Sequence, residues 1–316
     1  MASRSDVLVT GAAGFVGGHL VSRLQRDGVR VTGWYRPDAP PRETLSIEWQ
    51  AVDLLDAARV RAALECLQPT AIYHLAGSAH VADSWHHTRD TFEGNALATQ
   101  HLLTALRLLH QSPRVLVTGS ATIYAPSATP LTEHSPLGPS SPYGTSKLAQ
   151  ERLAAQAFSE WHLPTLLVRA FNHIGPGQSP AYVASSIARQ IALIERGALP
   201  PVLRLGNLDP LRDLMDVRDT VEAYVQMMRA ATPGRPYNVC RGEALRIGHL
   251  VDLFLAQARV AVTIEQDPGK MRPSDVPFQC GSHARLSEDT GWHPTIPLAQ
   301  TVDDVLNWWR QQDDLR

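Results

Sequence analysis

The segment that most restricts the fold of this chain is Thr10-Gly11-Ala12-Ala13-Gly14-Phe15-Val16-Gly17. It follows the apolar run Val7 to Val9 directly and leads into a stretch carrying Leu20, Val21 and Leu24 at helical spacing. Three glycines between a strand and a helix let the backbone turn sharply and come close to a bound group, at which the first N–H groups of the helix then point. A helix N-terminus is electropositive, so the group it favours is a pyrophosphate. The turn predicts the first crossover of a dinucleotide-binding sheet, with Gly11, Gly14, Phe15, Val16 and Gly17 as cofactor contacts.

The amino-terminal half keeps this rhythm. Short runs at Asp6 to Val9, Arg30 to Gly33, Ile47 to Val52, Ala71 to Leu75, Arg114 to Thr118 and Thr165 to Val168 alternate with helical patterns, as parallel strands joined by crossover helices do. Six such units predict an α/β fold, a doubly wound parallel sheet of the Rossmann type, with ligands at the carboxyl ends of the strands. After Phe171 the pattern becomes irregular, beginning with Gly175-Pro176-Gly177-Gln178-Ser179-Pro180. We expect residues 1–170 to form the dinucleotide-binding domain, and 171–216 with 241–316 to form a smaller, interleaved carboxyl-terminal substrate lobe. The helical segment Val217 to Arg229 and the strand-like Tyr237 to Cys240 return residues 217–240 to the first domain.

The second strand ends in Gly33-Trp34-Tyr35-Arg36-Pro37, a stretch without a carboxylate for a free ribose 2′-hydroxyl. Arg36 can meet a 2′-phosphate, which favours NADP(H) and keeps NAD(H) as the alternative. Asp53 has two readings: an acceptor for the adenine amino group, or a turn residue ahead of the helix opened by Asp56. Leu54, Leu75 and Ala76 complete the expected cofactor contacts.

Catalytic chemistry is expected at Tyr143 and Lys147, which open a helix after Pro142 and lie one turn apart on one face. A phenol is a poor acid–base group at neutral pH, and a neighbouring cation lowers its pKa. The chain has 27 arginines and two lysines, so a tyrosine placed four residues before a lysine is not expected by chance. Ser120, after the fifth strand, is the expected third partner for a substrate oxygen, with Thr118 and Thr122 as competitors.

Other classes of function find little support. With 29 Lys+Arg against 31 Asp+Glu the net charge is −2, which provides no basic field for nucleic acid. No apolar run reaches membrane length and no apolar signal region precedes Thr10, so neither a membrane partner nor secretion is expected. The cysteines Cys66, Cys240 and Cys280 form no pairing motif and fit a reducing cytoplasm. The thirteen histidines show no ligand spacing, so no metal is expected, and His74 reads as a core residue.

Taken together, Thr10-Gly-x-x-Gly-Phe-x-Gly17, Tyr143-xxx-Lys147 and Ser120 resemble the extended short-chain dehydrogenase/reductases, which act on nucleotide-activated sugars. The resemblance spans nearly the whole chain. Within that family, Phe171 to Gln178, Leu211-Arg212-Asp213 followed by Asp216-Val217-Arg218-Asp219, and Arg272 to Pro277 are most similar to the GDP-4-keto-6-deoxy-D-mannose reductases. The resemblance implies that Asn172 contacts the sugar or its phosphate, that Arg212 and Arg272 neutralise the diphosphate, and that Asp275 takes a ribose hydroxyl. Ser78 joins them as a substrate contact. It further implies NADPH-dependent reduction at C4 of a 4-keto-6-deoxy sugar, with a GDP-sugar favoured. A homodimer is implied through the helices around His86 to His110 and Ser141 to Ala157. The alternatives are a 4-epimerase with tightly held NAD and a non-catalytic dinucleotide sensor, and the intact triad argues against the sensor. The related 4,6-dehydratases carry a glutamate two residues after the catalytic Ser/Thr. Here that position is Thr122, a wording closer to some 4-epimerases, so dehydration is not expected.

Overall fold

The computed structural model describes residues 7–41, 45–270 and 276–312. The amino-terminal half runs β1 (Val7–Thr10), α1 (Phe15–Arg26), β2 (Val31–Tyr35), β3 (Glu48–Ala51), α2 (Ala57–Leu67) and β4 (Ala71–His74). Next, α3 (Thr88–Phe92) passes through a π-helical turn (Glu93–Leu97) into α4 (Ala98–Leu108), followed by β5 (Arg114–Ser120), α5 (Pro142–Trp161) and β6 (Thr165–Ala170). The remainder comprises β7 (Asn172–Ile174), α6 (Val183–Glu195), β8 (Val202–Leu205), β9 (Leu211–Asp216), α7 (Val217–Ala230) and β10 (Pro236–Val239). It ends with β11 (Ala244–Arg246), α8 (Ile247–Leu255), β12 (Thr263–Gln266), β13 (Phe278–Gln279), α9 (Ala284–Thr290) and α10 (Leu298–Arg310).

The main sheet has seven strands in the order β10-β6-β5-β4-β1-β2-β3, and every neighbouring pair is parallel. Strand alternation builds its two faces. Val7, Val9, Leu116, Leu166 and Val168 face a core shared with α1, α7 and α9. Leu8, Val115, Val117 and Leu167 face the opposite core, shared with α2, α4 and α5. The winding reverses between β1 and β4, where Thr10 pairs with His74, and this opens the crevice in which such sheets bind ligands.

The seventh strand is β10, whose residues Pro236 to Val239 pair with Leu167 to Ala170 of β6. A third core gathers α6, α8 and α10 around Ile187, Ile191, Leu250, Phe254, Val302 and Leu306. It lies with a small sheet of order β11-β9-β13, to which β7 adds by pairing with β9. The lobe expected over 241–316 is itself crossed: Leu286 of α9 and Trp292 pack into the α1/α7 core, because their apolar faces complete the layer over β10. Among the described residues, no helix is long and apolar enough to cross a membrane.

Candidate active site

The phosphate turn divides its glycines by task. Gly11 has φ +69°, and a Cβ there would lie 2.8 Å from the Ala76 nitrogen. At Gly17 a Cβ would lie 2.2 Å from the Gly11 oxygen, so the helix can close on the turn only with a glycine there. Gly14 caps α1 with no side chain, and the first turn of the helix carries no acidic residue. Uncapped N–H groups with no competing carboxylate fit the pyrophosphate of a dinucleotide.

At the end of β2 the structure adds a partner. Arg36 Nε donates to Asp38 Oδ1 at 2.5 Å, with both side chains about 70% exposed (69% and 70%). The stretch ending at Pro37 lacks an acid, but the next residue supplies one. Asp53 Oδ1 accepts the Leu55 N–H at 2.9 Å, the contact its turn reading requires, while Asp56 caps α2 by accepting from Arg59. The Leu54 carbonyl receives His101 Nδ1 at 2.9 Å. Leu75 donates to the Thr10 carbonyl and Ala76 to Thr10 Oγ1, each at 3.2 Å, so both lie at the mouth of the crevice.

The triad converges at the carboxyl ends of the strands. β5 runs two residues beyond its expected end, which makes Ser120 its last residue and buries it. Pro142 in the first turn and the Ser141 hydroxyl, accepting from the Gly144 N–H at 3.1 Å, start α5 so that Tyr143 and Lys147 share one face. Lys147 Nζ stands 5.9 Å from the Tyr143 ring centroid. The Ser120 hydroxyl faces the Tyr143 phenol and favours its ionised form. Thr122 donates both its N–H (3.2 Å) and its O–H (3.0 Å) to Ser120 Oγ, which leaves the serine proton to be donated onward. Thr118 is not a rival acid, since its hydroxyl is given to the His74 carbonyl at 3.0 Å.

Electrostatics here follow burial. The Tyr143 phenol is pushed up to about 12 by burial, with the Ser120 hydrogen bond opposing the shift and Tyr182 adding to it. Burial lowers Lys147 to about 8. Burial of the phenol thus works against the lowering expected from Lys147, whose ammonium stands to one side of the ring.

Across the crevice, Tyr182, the residue before α6, stacks on His80 with ring centroids 4.8 Å apart and donates to the Ala79 carbonyl at 3.2 Å. This contact ties the second lobe to the loop after β4, where Ser78 lies against Gly94. Nothing in the spacing of either residue announces the pair. Asn172 begins β7 and is exposed, its Nδ2 at 3.5 Å from the Asp213 carbonyl and 3.4 Å from Gln279 Oε1, a loose hold. Arg212 sits on β9, with Nη1 2.9 Å from the Leu211 carbonyl. Arg272 and Asp275 lie outside the described residues.

The neighbouring acids of these motifs are structural. Buried Asp213 accepts N–H groups from Arg241 (2.8 Å), Gly242 (2.9 Å) and Gly281 (3.2 Å). Asp216 caps α7, and Asp219 binds the backbone of Thr295 and Ile296. His74 is a core residue, as expected, and the described residues contain no cluster of metal-ligating side chains.

The family model for GDP-mannose 4,6 dehydratase matches residues 8–305. GDP-6-deoxy-D-mannose reductase of Pseudomonas aeruginosa is 36% identical over 309 residues, 97% of this chain and 97% of that protein. The structure of RMD from Pseudomonas aeruginosa complexed with NADPH superposes with a TM-score of 0.84 at 33% identity, covering 96% of this chain and 99% of that one. UDP-glucose 4-epimerase from Thermus thermophilus, solved with NAD, superposes with a TM-score of 0.86 at 27% identity, covering 96% and 99%.

Proposed function

The chain belongs to the GDP-mannose 4,6 dehydratase family of extended short-chain dehydrogenase/reductases, and on that premise we propose that it reduces the C4 keto group of a nucleotide-linked 4-keto-6-deoxy sugar with NADPH. The substrate that fits best is GDP-4-keto-6-deoxy-D-mannose, which gives GDP-D-rhamnose. The observation that carries this reading is the placement of Tyr143: a buried, protonated phenol on α5, one turn before Lys147 and facing Ser120 at the carboxyl end of β5, stands where a carbonyl oxygen would be reduced. Reduction of a ketone needs that acid, whereas an epimerase must begin by taking a proton from the sugar. The similarity to the Pseudomonas reductase supports the same choice. Thr122, standing where the dehydratases carry a glutamate, offers no acid for elimination.

When bound, NADPH supplies the hydride that reaches C4. Tyr143 donates its proton to the oxygen that gains charge there, and Ser120, its own oxygen held by Thr122, donates a hydrogen bond to the same atom. Two N–H groups of Lys147 are held by protein, which leaves one for the nicotinamide ribose. Gly11, Gly14, Phe15 and Val16 cradle the pyrophosphate, and Arg36 reads the 2′-phosphate. Asn172 and Arg212, with Arg272 and Asp275 by resemblance, take the sugar nucleotide within the lobe of 171–216 and 241–316, and Ser78 meets it from the loop after β4. Trp85, Phe92, Leu108 and Phe158 are exposed apolar residues on or beside α3, α4 and α5, and a second copy of the chain would cover them in a homodimer. A cytoplasmic location accords with the free cysteines.

The test is incubation with GDP-4-keto-6-deoxy-D-mannose while NADPH absorbance is followed. Oxidation of NADPH with matching formation of a GDP-6-deoxyhexose supports the reading. If NADPH is not consumed while a nucleotide hexose is inverted at C4 with NAD bound, the chain is an epimerase. Binding of the dinucleotide with no turnover of either kind marks a sensor.

A further inference from the structure

The lysine of the triad is held by a run of buried polar side chains that proton donation itself does not require. Lys147 Nζ donates to the Thr118 carbonyl at 3.0 Å and to Gln150 Oε1 at 2.9 Å. Gln150, fully buried, donates its Nε2 to Thr99 Oγ1 at 2.8 Å, and Thr99 gives its own O–H to the Asn95 carbonyl at 2.6 Å. His74 Nε2 lies 2.8 Å from that Thr99 oxygen, and His74 Nδ1 lies 2.8 Å from Thr10 Oγ1, at the threshold of the phosphate turn.

Counting donors orients the run. The Thr99 proton is committed to Asn95, so its oxygen can only accept, from the Gln150 amide and from His74 Nε2–H. Gln150 must then turn its carbonyl to Lys147, and His74 must accept the Thr10 proton at Nδ1. Burial, with the nearby charge of Lys147 adding to it, lowers His74 to about 3, so the imidazole is neutral. The other groups facing the ammonium are the Tyr143 phenol on α5 and the Thr118 carbonyl on β5. Glu151, the next residue of α5, is engaged by Arg169 at 2.7 Å. Among the described residues no carboxylate pairs with Lys147. A carboxylate would hold the ammonium and cancel its charge, whereas an amide carbonyl holds the atom and leaves the charge in place.

We propose that Gln150 is the positioning residue of Lys147: its carbonyl, oriented by Thr99 and His74, fixes the ammonium between Tyr143 and the cofactor ribose, and its neutrality keeps the positive charge available to the oxygen being reduced. This rests on the reading that Lys147 serves the reaction. Position 150 has no role in the sequence motif, since it lies between Lys147 and the helix surface pattern without any chemistry of its own.

The composition of the chain supplies the probe. Lys147 and Lys270 are its two lysines, so protein labelled with carbon-13 at lysine Cε gives two signals, of which Lys147→Met removes one. In the wild type the Lys147 signal should titrate near 8. In Gln150→Met, which keeps the length but loses the acceptor, the midpoint should fall by about one unit, because a hydrogen bond to the charged form is gone. NADPH should then bind about tenfold more weakly and kcat should fall, with KM for the sugar little changed, since the ammonium is no longer fixed at the ribose. Gln150→Glu should raise the midpoint. A Gln150→Met protein that is less stable to heat but keeps the wild-type midpoint, NADPH affinity and kcat overturns the proposal. If Gln150→Met does not fold, the isosteric Gln150→Glu decides, and an unmoved Lys147 midpoint in it is the overturning result. The two readings separate cleanly: a Lys147→Met protein with normal turnover refutes the role of the lysine, whereas an inactive Lys147→Met beside wild-type Gln150 variants refutes only the positioning.

Discussion

Replacing Asp38 with asparagine should tighten the binding of NADPH and leave NADH almost unchanged. In the free protein Asp38 occupies Nε of Arg36 at 2.5 Å, so a 2′-phosphate must compete for that guanidinium. Both side chains are about 70% exposed (69% and 70%), and an exposed pair of this kind contributes about 0.2–1 kcal/mol. A hydrogen bond from Arg36 to the phosphate contributes about 1.5–3 kcal/mol before screening. The wild-type preference for NADPH should therefore be about 1–2 kcal/mol, and Asp38→Asn should release up to about 1 kcal/mol more, roughly fivefold in affinity. Arg36→Ala should remove the preference. The assay is a set of four dissociation constants per variant, for NADPH and NADH at low and high salt. The gain from Asp38→Asn should shrink as salt rises, because both of its components are screened. Equal weakening of the two cofactors by Arg36→Ala would show that the guanidinium supports the adenine or the loop. Tighter binding of NADH by the wild type would refute the cofactor assignment itself.

Tyr143→Phe should lower turnover by about 10²-fold or more while the dissociation constant for NADPH stays within about threefold, since only the proton-donating oxygen is lost; near wild-type rates would exclude it as the acid. The pH profile of reduction should have its falling limb near 8, where Lys147 loses its proton. Its charged form prevails below that value and is lost as the pH rises through it, while Tyr143 stays protonated throughout. A rate that stays flat to about pH 10 in folded enzyme contradicts this assignment. Glu151→Ala should destabilise the protein by about 3–5 kcal/mol in denaturant unfolding, because Arg169 is left buried without its bidentate partner; a loss below about 1 kcal/mol would mean that Tyr124 and the Glu133 carbonyl suffice for Arg169.

What could be read from the sequence was what is local. The phosphate turn, the six amino-terminal strands and the Tyr143/Lys147 spacing each declare themselves within a dozen residues, and their places in the sheet follow from chain order. The return of residues 236–239 to the sheet was visible because a strand pattern directly follows a helix. Features made by contacts distant in sequence were not visible. Gln150 is one polar residue on a helix until Thr99, 51 positions away, fixes its amide. Tyr182 meets a loop 103 residues earlier. The acids of the carboxyl half carry the resemblance without disclosing their tasks: the oxygens of Asp213, Asp216 and Asp219 hold backbone N–H groups and a helix cap supplied by distant segments. Asp38 escapes for a simpler reason, lying one residue past the stretch in which a ribose selector is sought.

The return of β10 to the main sheet limits how this molecule can be taken apart. β10 supplies the outer ladder for β6, whose buried run Thr165 to Ala170 would otherwise present open N–H and C=O groups along an apolar edge. The chain passes between the main sheet and the smaller sheet near 170, 216 and 240, and the middle passage is itself fastened by Asp216, which closes β9 and caps α7. A chimera that exchanged the carboxyl-terminal portion as one cassette, cut at 170, would import a foreign edge strand along with the foreign specificity. Its first defect would be self-association through β6, before any change in substrate preference could be measured. Splicing at all three passages keeps the native edge strand, so the modules of this protein are defined by sheet membership rather than by position along the chain.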